Sequence, residues 1–122
     1  MFDPNSIIFY VKNPAASASF YMLLLNQQPI ENSPTFVMFT LKPGLRLGLW
    51  SSQHAEPPAT SLGGGGEIGL AVGDIDTVNR LHETWLQQGV TIIQSPVMMD
   101  FGFTFVALDP DNHRIRVFHP NA

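Results

Sequence analysis

Between Leu45 and Trp50 the chain alternates: Leu45, Leu47 and Leu49 are uniformly apolar, while Arg46, Gly48 and Trp50 take the positions between. A period of two sends successive side chains to opposite faces, so this stretch predicts a strand with its leucines toward a core. Phe36 to Leu41 predicts a second strand, with Val37, Phe39 and Leu41 on the core side and Phe36 and Met38 on the other. Its two sides are both apolar, so the facing is less sharply specified. Lys42-Pro43-Gly44 joins the two strands as a type II turn. Ser6 to Val11 is short, apolar and rich in β-branched and aromatic residues, which predicts a buried strand. Asn13-Pro14 then supplies a good N-cap followed by the residue favoured at the first helical position. A helix is expected from about Pro14 to Asn26, presenting Ala16, Phe20, Leu23 and Leu24 on one face, with the run Phe20 to Leu25 in the core. Pro29 stops it.

Ser51 to Gly66 has no periodicity and contains Pro57-Pro58 and Gly63-Gly64-Gly65-Gly66, so it reads as a linker. The pattern then begins again. Glu67 to Val72 predicts a strand. Asp74 is placed to cap a helix running to Gln88, with Ile75, Val78, Leu81, Trp85 and Leu86 at helical spacing and Gly89 at the position that ends it. Val90 to Ile93, Phe103 to Leu108 and Arg114 to Phe118 predict three further strands. The second half thus shows β-α-β-β-β and the first β-α-β-β, and both are read as one repeated β-α-β-β-β unit, as modules of about 5–51 and 66–119 joined by linker 52–65. The repeat lies in order and spacing rather than in residue identity. The fold class expected is α+β, in one domain spanning 1–122. Two such halves side by side would bury their helices on one face of a curved mixed sheet and leave the other faces around a shared cleft.

Composition narrows the class. Of 122 residues, 44% are apolar and only 13% charged, enough for a core and too little charge for disorder. Lys and Arg total 6 against 10 Asp plus Glu, a net charge of −4, with no basic patch for nucleic acid. There is no cysteine, which excludes disulfides, thiolate nucleophiles and Cys-based metal sites. No run of 18 apolar residues suggests a membrane span, and Met1 to Asn5 lacks the order of a signal peptide, so a cytoplasmic protein is expected. The glycine run leads into a strand rather than a helix N-terminus, so it is not a phosphate loop.

The paired β-α-β-β-β layout resembles the vicinal oxygen chelate superfamily, which includes glyoxalase I, extradiol dioxygenases and bleomycin-resistance proteins. Three stretches carry the resemblance: a first strand and helix ending in Phe20-Tyr21, the segment Glu67 to Ile75, and Asp109-Pro110-Asp111-Asn112-His113-Arg114-Ile115-Arg116-Val117. The last is similar to the superfamily's Asp-Pro-Asp-Gly turn, with Asn112, which tolerates the left-handed conformation, in place of Gly. Within the superfamily the small antibiotic-binding proteins, phenazine-resistance types among them, look most similar, through Leu49-Trp50-Ser51-Ser52 and Asp100 to Phe105. The resemblance implies a homodimer with clefts at the subunit junction. In metal-dependent members it also implies four side chains chelating one ion. Carried over one by one, those positions fall here on Ser6, Gly48, Glu67 and Arg116. Of these only Glu67 offers a metal ligand, and Arg116 would repel an ion, so no metal and no other cofactor is expected.

The same alternation proposes what lines the cleft instead. Ser6, Ile8 and Tyr10 share one side of the first strand, Phe36 and Met38 one side of the third, and Arg46, Gly48 and Trp50 one side of the fourth. A Gly beside Trp50 suggests room for a flat ring over the indole, although Trp50, Phe36 and Met38 also fit ordinary core. Glu67 and Arg116 are expected to pair across the vacant metal position. That pair either fills space or also receives a polar group of the ligand, and a carboxylate-bearing aromatic would suit Arg116, with Arg46 adding to it. Phe103 and Phe105 project to one side of their strand and Thr104 to the other; core packing explains some of these, while Phe101 and Met99 fit a cleft rim or a subunit contact.

The expectation is a protein that binds and sequesters a planar aromatic small molecule such as an antibiotic, without turnover and with no catalytic residue. Two alternatives are a metal-dependent lyase, isomerase or dioxygenase with displaced ligands, and a metal-free enzyme with Glu67 as general base.

Overall fold

The structure, a computed structural model, describes residues 3–121. The chain divides into two compact units at the Gly63–Gly64 boundary. The first contains β1 (Ser6–Val11), α1 (Pro14–Leu25), β2 (Glu31–Asn32), β3 (Phe36–Lys42) and β4 (Leu45–Ser51). The second contains β5 (Glu67–Ala71), α2 (Ile75–Gln87), β6 (Thr91–Met99), β7 (Gly102–Leu108) and β8 (Arg114–Pro120). Each is a βαβββ module with its own four-stranded sheet, in the orders β1-β4-β3-β2 and β5-β8-β7-β6. The outer pairs β1/β4 and β5/β8 are parallel and the remaining pairs antiparallel. The α+β class expected from the pattern is what the chain forms. Among the described residues no helix is long and apolar enough to cross a membrane.

Local chemistry fixes the helix ends. The Asn13 side chain accepts hydrogen bonds from the Ala15 and Ala16 N–H groups, at 3.1 and 3.3 Å, which satisfies two donors the first turn leaves open. Asn26 closes α1 in the left-handed region, at φ 54°. The Asp74 carboxylate caps α2, taking the Thr77 N–H at 2.7 Å and the Thr77 hydroxyl at 2.6 Å. At the other end Gly89 has φ 84°; its N–H bonds to the Leu86 carbonyl, and the Val90 N–H to that of Trp85. This paired pattern is a Schellman closure, and the positive φ explains the glycine. Asn112 sits at φ 70° in the last turn, as its place in the Asp-Pro-Asp-Asn sequence requires. There Asp109 Oδ1 accepts the N–H groups of Asp111 and His113, and Oδ2 meets His113 Nδ1 at 2.8 Å.

The helix-facing sides hold the cores. In the first module Val37, Phe39, Leu47, Leu49 and Val11 are fully buried, as the leucine alternation predicts. In the second, Phe105, Ala107, Ile115 and Val117 are buried, and the Phe105 ring meets Trp85 and His82 edge-on, each at 5.3 Å.

Two expectations are corrected. The buried face of α1 is Pro14, Ser17, Ala18 and Tyr21; Ala16 and Leu23 are exposed, and Phe20 and Leu24 only half-buried. This helix is apolar nearly all round, so periodicity does not select its core face; small residues let it approach the sheet, and Tyr21 packs 6.3 Å from Phe39. The strand expected to end at Ile93 instead continues to Met99 through Pro96. Proline is tolerated because β6 is an edge strand whose register shifts on both sides of Gln94.

Candidate functional site

Each sheet has a second face, turned from its own helix. In the first module the ladder registers arrange this face in three cross-strand rows. Ser6, Arg46 and Thr40 form the first, Ile8, Gly48, Met38 and Glu31 the second, and Tyr10, Trp50 and Phe36 the third. Alternation puts all ten opposite Leu47 and Leu49, so Trp50 is not beneath α1. The face is partly open: Ile8 and Tyr10 are 37% and 36% exposed, Ser6 and Arg46 are exposed, and Phe36, Met38 and Trp50 are half-buried. The Phe36 ring stands perpendicular to the indole, at 88° and 6.4 Å.

The room expected over Gly48 is not there. A Cβ on this residue would lie 2.6 Å from Ile8 Cδ1 and 2.8 Å from Phe36 Cζ, so those two side chains already fill the notch. The glycine serves close packing of its own neighbours, and the middle row is a flush floor. The hollow on this face lies one row away. It measures about 420 Å³ and is lined by Asn5, Ser6, Met38, Gly44 and Arg46.

The corresponding face of the second module is built around Arg116. Its Nε donates to Glu67 Oε2 and its Nη2 to Glu67 Oε1 at 3.4 Å, forming the pair the sequence suggests. Two further partners were not legible in the sequence: Nη1 donates to Gln94 Oε1 at 3.3 Å and to the Thr104 hydroxyl at 3.2 Å. Thr104 is fully buried and its hydroxyl donates to the Val117 carbonyl at 2.8 Å. The guanidinium also lies 5.4 Å from the centre of the Phe101 ring, within cation–π range, and Phe101 meets Phe118 edge-on at 6.0 Å. Gln94 escaped notice because the strand was expected to stop before it, and Thr104 because only the fold sets it across from Phe118 beside Arg116. Phe103 shares the α2-facing side with Phe105, away from the Arg116 face, and is half-buried.

The scaffold is what known proteins share with the chain. A family model for the glyoxalase/bleomycin resistance protein/dioxygenase superfamily matches residues 4–117. The chain belongs to this superfamily. Among superfamily relatives, the phenazine antibiotic resistance protein EhpR of Enterobacter agglomerans is 31% identical over 117 residues, covering 93% of this chain and 89% of that one. A protein of Agrobacterium tumefaciens, solved by NMR in solution, is 45% identical with full coverage of both chains and a TM-score of 0.91. A glyoxalase-related enzyme of Fulvimarina pelagi is 20% identical, covers 98% of this chain and 88% of its own, and shares the fold at a TM-score of 0.87.

Superfamily members that hold a divalent ion need carboxylate or imidazole donors. At the four positions carried over by resemblance, Gly48 has no side chain, Ser6 offers one neutral hydroxyl, and Arg116 brings a positive charge. Both oxygens of Glu67 are engaged by that guanidinium. Among the described residues no group of three or more His, Cys, Asp and Glu is gathered as a metal site. The donor set does not fit a catalytic ion.

Proposed function

We propose that this protein binds a planar aromatic small molecule and protects by sequestering it, without chemical turnover. The observation that supports this most directly is the row Tyr10, Trp50 and Phe36, three aromatic side chains side by side on the partly open face of one sheet. Such a row offers a flat guest apolar burial at about 25 cal/mol per Å², with stacking adding about 0.5–1.5 kcal/mol. The relationship to a phenazine resistance protein supports the ligand class, and the unsuitable metal donors support binding over catalysis. The reading includes pairing of two chains, which the family resemblance implies and sedimentation equilibrium checks.

Titration with phenazine and other flat polycycles, followed by calorimetry and tryptophan fluorescence, tests the reading. Trp50→Ala is expected to weaken binding at least tenfold, the equivalent of about 1.4 kcal/mol. Unchanged affinity in that variant, or consumption of the ligand by the native protein, would overturn it.

A further inference from the structure

We propose that the hollow beside Arg46 is an anion subsite, and that the aromatic ligand carries an acid group that docks there. The inference rests on the aromatic-binding reading above and adds the ligand's charge.

The two arginines on the open faces differ in what they have left to give. A guanidinium has five N–H donors. Arg116 makes four hydrogen bonds, to Glu67, Gln94 and Thr104, and covers Phe101 as well, so its charge is already neutralised. Arg46 is exposed and has no ion-pair partner among the described residues. It lines the hollow together with Asn5 and Ser6; no carboxylate lines it, and Glu31 on the same face stands two strands away from Arg46. One uncompensated cation beside two neutral hydrogen-bonding groups favours an anion, and the planar fork of arginine favours the two oxygens of a carboxylate.

Position argues that the acid belongs to a ring system. Met38 belongs both to the hollow and to the middle row, and the aromatic row follows immediately after. Arg46 and Trp50 are four residues apart on one extended strand, roughly 13 Å between their backbones. The long arginine side chain covers part of that distance. Three fused rings bearing a carboxylate at one end cover the remainder, lying across the flush floor made by Ile8 and Phe36.

The test compares phenazine-1-carboxylate with the uncharged phenazine-1-carboxamide on the native protein, Arg46→Gln and Arg46→Lys. The native protein is expected to prefer the acid by about two- to fivefold, the increment of one solvent-accessible charge-assisted contact. Added salt should reduce that preference. Arg46→Gln should abolish it, weakening the acid more than the carboxamide, and Arg46→Lys should keep part of it. Equal affinities in the native protein, or a preference that survives Arg46→Gln, would overturn the subsite and leave the aromatic reading standing. Amide resonances supply an independent readout, with benzoate as probe. If neither phenazine binds, the aromatic reading falls. Benzoate-induced shifts at Asn5, Ser6 and Arg46 that vanish in Arg46→Gln would then still sustain the subsite, and their absence would end it.

Discussion

Each module lays one face of its sheet against its own helix and leaves the other face open, and the open faces are finished in opposite ways. In the first module that face is largely aromatic and apolar, with exposed Arg46 at one end and exposed Glu31 on its edge strand. In the second it is a closed polar network, with Arg116 held by Glu67, Gln94 and Thr104 over the ring of Phe101. The helix-facing sides are alike, since Val37, Phe39, Leu47 and Leu49 in one module and Phe105, Ile115 and Val117 in the other are all buried. The repeated unit therefore constrains the core and leaves the open faces to diverge. Function is to be sought where the two copies differ.

The largest effects should come from the shared sides. Phe39→Ala and Phe105→Ala each remove a ring that is fully buried and should each cost about 3–5 kcal/mol in urea denaturation. Phe36→Ala, on the open face, should cost about 1–2 kcal/mol, because water already reaches that ring. Equal losses at Phe36 and Phe39 would erase the distinction between the two faces.

Next comes the closed network. The side chains of Arg116 and Glu67 are only 16% and 34% exposed, so Glu67→Ala leaves a partly desolvated cation without its main partner. The expected loss is about 1–3 kcal/mol, below that for a fully buried pair. Adding Arg116→Met should restore most of it. A double variant no more stable than Glu67→Ala would show that the arginine contributes through packing rather than charge.

Gly48→Ala sharpens the comparison on the other face. The added methyl must displace Ile8 Cδ1 and the tip of the Phe36 ring, both of which are mobile side-chain ends, so a loss of about 1 kcal/mol is expected by thermal denaturation.

The smallest effect separates the helices. Hydrogen bonds from the Thr77 hydroxyl and then the Thr77 N–H hold the Asp74 carboxyl below its ordinary 3.8. The folded state thus binds its proton less readily than the unfolded one. The cap's contribution is complete above pH 3.8 and disappears as pH falls through the lowered folded value. Asn13 caps α1 with an uncharged amide. Amide exchange at acid pH should show α2 opening at its first turn while the start of α1 keeps its protection, and Asp74→Asn should remove the difference.

How much of this was legible follows the same division. Strict alternation at Leu45 to Trp50 located a strand and its two faces, and Asn13-Pro14, Asp74 and Gly89 marked helix ends, because these signals are local. The Glu67–Arg116 pair came through the resemblance, and the structure adds the partners that only folding assembles. The core face of α1 was not legible because an almost uniformly apolar helix has no preferred side. Gly48 misled for a different reason. A missing side chain says nothing about which neighbours will occupy the space, and Ile8 and Phe36 do so from two other strands.

Pro96 has a consequence for solubility. It lies within the edge strand of the second sheet, beside a shift in register, where Val97, Met98 and Met99 are 41%, 56% and 40% exposed. A flat border of that composition would template fibril-like stacking of one molecule on the next. The missing N–H and the distorted ladder beside it deny an incoming chain a continuous set of partners, so the proline acts as a gatekeeper for a segment that would otherwise be sticky.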